Sequence, residues 1–396
     1  MYNDLLFVLV SLIVNEGRKL QVKLFSNDFV NAGRQIELDW AKGLAVIFMI
    51  FVHLHISLSE MPLAEIPWSE PYYQVVMFCG GPLAAPTFMI LLGVGIVYSR
   101  NRNPQKLAMR GLKLVLLHYG LNFTAFGVPS LVMYSQTQNA EYLGDFFTRT
   151  FGVDILAFAG LTFLFFALKE KLRLNIAQVL LVVFACSCLN YLLTMPMDED
   201  YLYFGLAAGL FVRVTEYSYF PFVSWIAYPV IGYVFGDLLK RCTDKATLYR
   251  YLFLFAALTV AAMTLGAKKY GFDLWWAYIV PDEEMIVGGM NDYYFQDFLQ
   301  YIQVGGICFA WFGLLYALSC TKVAHLIGTH LARWSKNVTI IYCVHWLILG
   351  WLSILELLPH TTNTFIHFMM AIALVICSDL IASLYVKVST TFLRRE

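Results

Sequence analysis

The chain has 396 residues, of which 60% are hydrophobic and only 14% charged, with a mean hydropathy of +0.66. Its formal net charge is +0, with 27 basic and 27 acidic residues. So little charge cannot cover the surface of a soluble domain, and the balance gives no electrostatic reason to expect a nucleic-acid partner. The eight cysteines lie mostly inside apolar runs and form no C-x-x-C or Cys/His cluster with metal spacing, so no metal is expected. Lipid is the implied solvent.

A short apolar run from Leu5 to Val14 opens the chain. It lacks a preceding basic residue and is too short to span, so it reads as an in-plane anchor or an over-long start, not as a cleaved signal. From Ala41 onward, runs of about 20 apolar residues recur, the length that crosses a hydrocarbon core. They predict spans at 41–59, 73–98, 109–132, 150–168, 176–194, 219–239, 249–267, 298–319, 337–357 and 364–388. A shorter stretch, 203–214, reads as a half-helix packed against protein. The expected fold is therefore all-α, a polytopic transmembrane bundle of about ten helices. It divides into an N-terminal segment (1–33), a membrane domain (34–390) and a short tail (391–396).

Loop charges alternate in step with these spans. Arg18, Lys19, Lys23, Arg34 and Lys42 precede the first, and Glu60, Glu65 and Glu70 follow it. Arg100, Arg102, Lys106 and Arg110 come next, then Glu141 and Asp145, and the pattern continues to Arg394 and Arg395. By the positive-inside rule both termini are cytoplasmic. The opposite loops are acidic and aromatic, with Trp68, Tyr72, Tyr73, Trp275, Trp276, Tyr293 and Tyr294. Such residues serve either as an interfacial belt or as a platform for stacking sugars.

Ionisable groups inside lipid are expensive and mark candidate function. They are His53 and His55 in the first span, His118 in the third, Asp154 in the fourth, His345 in the ninth and Asp379, with no evident partner, in the tenth. At about 100° per residue, the step from Lys42 to His53 returns to within about 20° of one helix face while rising roughly 16 Å. Asp39 falls near the same face. One stripe thus carries a cation and a carboxylate at the inner end and an imidazole deep in the membrane. His55 lies about 200° round from His53, on the other side.

Arg34, then Leu38-Asp39-Trp40-Ala41-Lys42-Gly43-Leu44-Ala45, then His53, resembles the opening signature of the transmembrane acyltransferases (acyltransferase 3-like), an Arg-led D-x-x-R-G followed by a His. The segments Gly80-Gly81-Pro82-Leu83-Ala84-Ala85-Pro86-Thr87-Phe88-Met89 through Gly93, Asp154-Ile155-Leu156, and Phe220-Pro221-Phe222-Val223-Ser224-Trp225 through Gly232 resemble the heparan-alpha-glucosaminide N-acetyltransferase-like branch. Ile341-Tyr342-Cys343-Val344-His345 resembles the late Y-x-x-H of the broader superfamily.

The resemblance implies an enzyme that moves an acyl group, usually acetyl, from cytosolic acyl-CoA to a sugar or glycan across the membrane. Acetyl-CoA would be the donor substrate, and homodimerisation is left open. Two departures stand out: Lys42 occupies the motif's Arg position and loses its bidentate fork, and the segment from Glu60 to Pro71 lacks the His that the heparan-acting enzymes carry there. The expected base is therefore His53, with His55, His118, His345 and Asp154 as further catalytic or substrate-orienting candidates. Lys42, Arg110, Lys113 and Asp39 are the acyl-CoA-binding candidates. Histidine suits either general-base catalysis or transient acyl carriage. The rival reading is a transporter or flippase for a polar or lipid-linked metabolite, although no paired broken helices in related halves support it. Compact loops favour a bacterial inner membrane.

Overall fold

The computed structural model describes residues 24–58, 71–100, 102–192, 208–212, 218–270, 296, 298–358, 361 and 363–392. The apolar run at Leu5 to Val14, most of 203–214, the loops around Glu65, Glu199 and Glu283, and the terminal arginines lie outside these residues. Among the described residues the fold is a helical bundle with no strand, and eight helical segments are long and apolar enough to cross a membrane. In lipid every backbone N–H and C=O must be satisfied within the chain, which a helix achieves locally. The protein is an integral membrane protein.

In chain order the helices are α1 (Ile36–Leu58), α2 (Pro71–Gly80), α3 (Ala85–Tyr98), α4 (Pro104–Asn122), α5 (Val128–Thr137), α6 (Ala140–Phe151), α7 (Ile155–Leu172), α8 (Ile176–Leu192), α9 (Phe222–Trp225), α10 (Ala227–Arg241), α11 (Lys245–Tyr270), α12 (Phe298–Ser319), α13 (Val323–Ile354) and α14 (Thr364–Phe392). The expected spans 150–168 and 176–194 correspond to α7 and α8, which are shorter and fall outside the eight. The expected span 150–168 does not run through as one helix. Gly152 ends α6, and Asp154 restarts the chain as the cap of α7, its Oδ1 accepting from the Ile155 N–H at 2.6 Å.

The span 73–98 is likewise broken between α2 and α3, where residues 81–84, with Pro82 lacking an N–H, form a turn. A five-residue π-helical turn, Phe123–Gly127, joins α4 to α5. Asn103, Asn139 and Asn363 cap α4, α6 and α14 by accepting from backbone N–H groups two residues ahead. Outside the spans, Asp244 starts α11, and the Thr247 hydroxyl and backbone N–H hold its carboxyl below the usual carboxylate range.

Helix α1 occupies the middle, packed on α2, α3, α12, α13 and α14. At the end of the bundle that carries Arg34, Lys240 and Arg241, the chain before α1 packs on α3 and α10. There the strap 24–33 runs past the C-terminus of α10: Ser26 N–H donates to Arg241 O (2.9 Å), Asn31 N–H to Lys240 O (3.0 Å), and Tyr98 OH to Asn31 O (3.0 Å).

Helices α3 and α10 cross at backbone distance. A Cβ on Gly93 would meet the Pro229 carbonyl, and one on Gly232 the Ile90 carbonyl. Small residues that let backbones touch are the usual device for packing helices in lipid. Gly232→Ala is expected to lower unfolding stability by about 1–3 kcal/mol through overpacking, whereas Gly95→Ala, with nothing within 4 Å of its Cβ, stays neutral or better. Thermal unfolding of the two variants in one detergent checks this, and equal midpoints would count against the close crossing.

Candidate active site

The site grows from the contact between α1 and α13. Both helices run from the basic end of the bundle, and Gly43 lets them approach: a Cβ there would come within 2.5 Å of the Leu331 carbonyl oxygen. At the foot of α1, Ser335 Oγ donates to Asp39 Oδ1 at 3.0 Å, and Arg34 pairs with Asp39 Oδ2. Fourteen residues up the same helix, roughly 21 Å by helical rise, His53 meets α13 again. Its Nδ1 lies 2.9 Å from Nε2 of His345. Asp39 and His53 thus engage one neighbour from one face of α1.

His345 is fully buried, and its Nδ1 lies 3.3 Å from the Ile341 carbonyl oxygen. The half-buried His53 ring also stacks on Trp346, with centroids 4.2 Å apart. Among the described residues its Nε2 has no hydrogen-bonding partner. Trp346 in turn packs edge-on against Phe126 of the π-helical turn, and Trp351 Nε1–H donates to Thr124 O at 2.9 Å. That turn is therefore seated on α13 beside the histidine pair.

Asp154 and His118 approach from α7 and α4. Tyr342, one turn before His345 on α13, donates its hydroxyl to Asp154 Oδ2. The Tyr342 and His345 rings are edge to face at 5.3 Å. His118 Nε2 lies 2.9 Å from the Gly152 carbonyl, and Asn122 Nδ2–H donates to the same oxygen at 3.2 Å, so both groups brace the break before Asp154. The structure thus brings together His53, His345, Asp154 and His118 from four helices. His55 is elsewhere, on the opposite side of α1, with its ring 4.4 Å from that of Tyr73 and 5.9 Å from that of His367.

At the basic end, Lys42 is half-buried and within electrostatic reach of both Asp39 and Arg110. The Arg110 guanidinium lies over the Phe163 ring at 4.4 Å. Lys113 is exposed beside the exposed Met109, Leu112 and Leu116, on the side of α4 that faces away from the bundle.

Residues 34–266, more than half of the chain, match the family described as heparan-alpha-glucosaminide N-acetyltransferase, catalytic. The chain belongs to this family. Comparison with curated proteins gives no match, and comparison with solved structures gives none either. Family membership makes the protein a membrane acetyltransferase. The matched region holds Asp39, Lys42, His53, Arg110, Lys113, His118 and Asp154, while Tyr342 and His345 lie beyond it.

Several polar pairings in the structure escape a reading of the sequence alone. Asp379 pairs with Arg333 across α13 and α14. Glu37, fully buried near the foot of α1, binds Lys245 Nζ at 2.6 Å and accepts from Tyr249 OH at 2.9 Å. Its signal was an acid two residues before Asp39 and a lysine opening another helix at the same end. Removing one partner of such a pair strands the other charge. Lys245→Met is expected to cost about 3 kcal/mol, and adding Glu37→Gln should return most of it. Unfolding midpoints in detergent for the single and double variants measure this, and a Lys245→Met protein as stable as the wild type would rule it out.

Proposed function

We propose that the protein transfers an acetyl group from cytosolic acetyl-CoA to an amino sugar or glycan on the far side of the membrane, with His53 as general base. One observation carries the reading: a half-buried imidazole, engaged through Nδ1 and with Nε2 unpartnered among the described residues, stands among buried polar groups deep in the bundle. The family match supports acetyl transfer and a glucosamine acceptor. The Arg34 to His53 signature and the Tyr342-x-x-His345 pattern support kinship with the wider acyltransferase 3-like group.

In this reading the acceptor amine or hydroxyl attacks the thioester carbonyl. A C–N or C–O bond forms as the C–S bond breaks, and His53 Nε2 takes the acceptor's proton and passes it to the departing thiolate. The transient imidazolium keeps its Nδ1–H on His345 and gains from the Trp346 ring face at 4.2 Å. Lys42 and Arg110 hold the donor's phosphates at the inner end, Lys113 extends that positive field toward the membrane surface, and Asp39 fixes the foot of α1 between Arg34 and Ser335. His118 and Asp154 act as supports for the site, and His55 stands outside it. The alternation of basic and acidic loops along the chain supports an orientation with both termini cytoplasmic, and the compact loops support a bacterial inner membrane.

The assay is incubation of the purified full chain with labelled acetyl-CoA and a panel of amino sugars and glycans. His53→Ala is expected to lower turnover by about a hundredfold, with His55→Ala much milder. Solute movement without thioester consumption would instead indicate a transporter. Lys42→Ala should raise KM for acetyl-CoA and leave KM for the sugar nearly unchanged. An unaltered donor KM would remove Lys42 from the donor site.

A further inference from the structure

A neutral imidazole carries hydrogen on one nitrogen and a lone pair on the other, and its partners decide which. The Ile341 carbonyl oxygen can only accept, so the His345 Nδ1 facing it at 3.3 Å carries hydrogen. Nε2 of His345 then holds a lone pair. The 2.9 Å contact between that atom and His53 Nδ1 requires the hydrogen to sit on His53 Nδ1. What remains on His53 is a lone pair at Nε2, the nitrogen without a partner among the described residues.

We propose that His345 is a positioning residue that fixes His53 as its Nδ1–H tautomer, with Tyr342 and Asp154 as the brace that sets His345 at the right height. The inference rests on the reading of His53 as base, and it draws on two residues beyond the family match. Asp154 is itself fixed, because its Oδ1 accepts from the Ile155 N–H at 2.6 Å while Oδ2 takes the Tyr342 hydroxyl. The carboxylate ties the start of α7 to α13 one turn from His345. Keeping an ionisable group in lipid is costly, and a base oriented by a third group gives that cost a purpose. Without the His345 acceptor, the His53 hydrogen would divide between its two nitrogens, and part of the population would have no lone pair facing the acceptor.

The test uses the full chain in lipid nanodiscs with 15N-labelled histidine, the His53 signals being assigned by their loss in His53→Asn. The wild type should show His53 with a protonated Nδ1 and a bare Nε2. His345→Gln, whose Oε1 can accept the same hydrogen, should keep that signature and stay within about threefold of wild-type turnover. His345→Ala should show mixed tautomers and lose about tenfold to a hundredfold in kcat, with KM for acetyl-CoA unchanged. Tyr342→Phe should fall between the two. A wild-type His53 protonated on Nε2, or a glutamine variant as slow as the alanine variant, overturns the proposal. Should the alanine variant fail to fold, the wild-type and glutamine spectra still decide it. Slow His53→Ala with fast His345→Ala would overturn the positioning role alone, whereas fast His53→Ala would overturn the base reading itself.

Discussion

Helix α1 is joined to α13 at two heights, by Ser335 on Asp39 near the basic end and by His345 on His53 deep in the bundle. Two polar contacts on one face fix both the rotation and the axial position of α1, which apolar packing alone would leave loosely specified. Gly43 makes this possible by letting the α13 backbone close in. Because lipid tails are as apolar as leucine, helices in a membrane gain little from hiding hydrophobic faces. Close glycine crossings and buried hydrogen bonds must supply the specificity, and the other helices are arranged around the pair so defined.

The same economy governs the remaining ionisable groups. Asp154 is shared between a helix cap and Tyr342, Glu37 between Lys245 and Tyr249, and Asp379 is matched by Arg333. The first two pairings join α7 to α13 and α1 to α11, helices distant in sequence, while the third ties the neighbouring α13 and α14. His53 differs from them. Its Nδ1 joins α1 to α13, while its Nε2 has no hydrogen-bonding partner among the described residues.

Much of this was legible in the sequence, and for identifiable reasons. Hydrophobic length located eight of the ten expected spans as helices long and apolar enough to cross a membrane. The helical repeat alone separated His53 from His55, and the structure places them on opposite sides of α1, one toward His345 and the other toward Tyr73 and His367. The partners of the polar groups were not legible. Nearly uniform apolarity erases the amphipathic signal that would say which side of α7 or α13 turns inward, so neither Tyr342 with Asp154 nor Glu37 with Lys245 could be paired. The break at Gly152 was hidden because the residues flanking it are apolar enough to extend a span. His345 lies 292 residues from His53, and no periodicity reaches that far.

The family match stops at residue 266, in α11, yet α1 takes its principal neighbour from α13. Conserved pattern and folding unit therefore have different boundaries here. A fragment ending with the matched region would carry His53, Asp39 and Asp154 but leave each without its α13 partner, and would open the seam beside Gly43 to lipid. In such a fragment the polar side of α1 would be the surface most prone to mispairing with another copy. The C-terminal helices are thus part of the packing that encloses α1, and Ser335, Tyr342 and His345 act on partners that lie within the matched region.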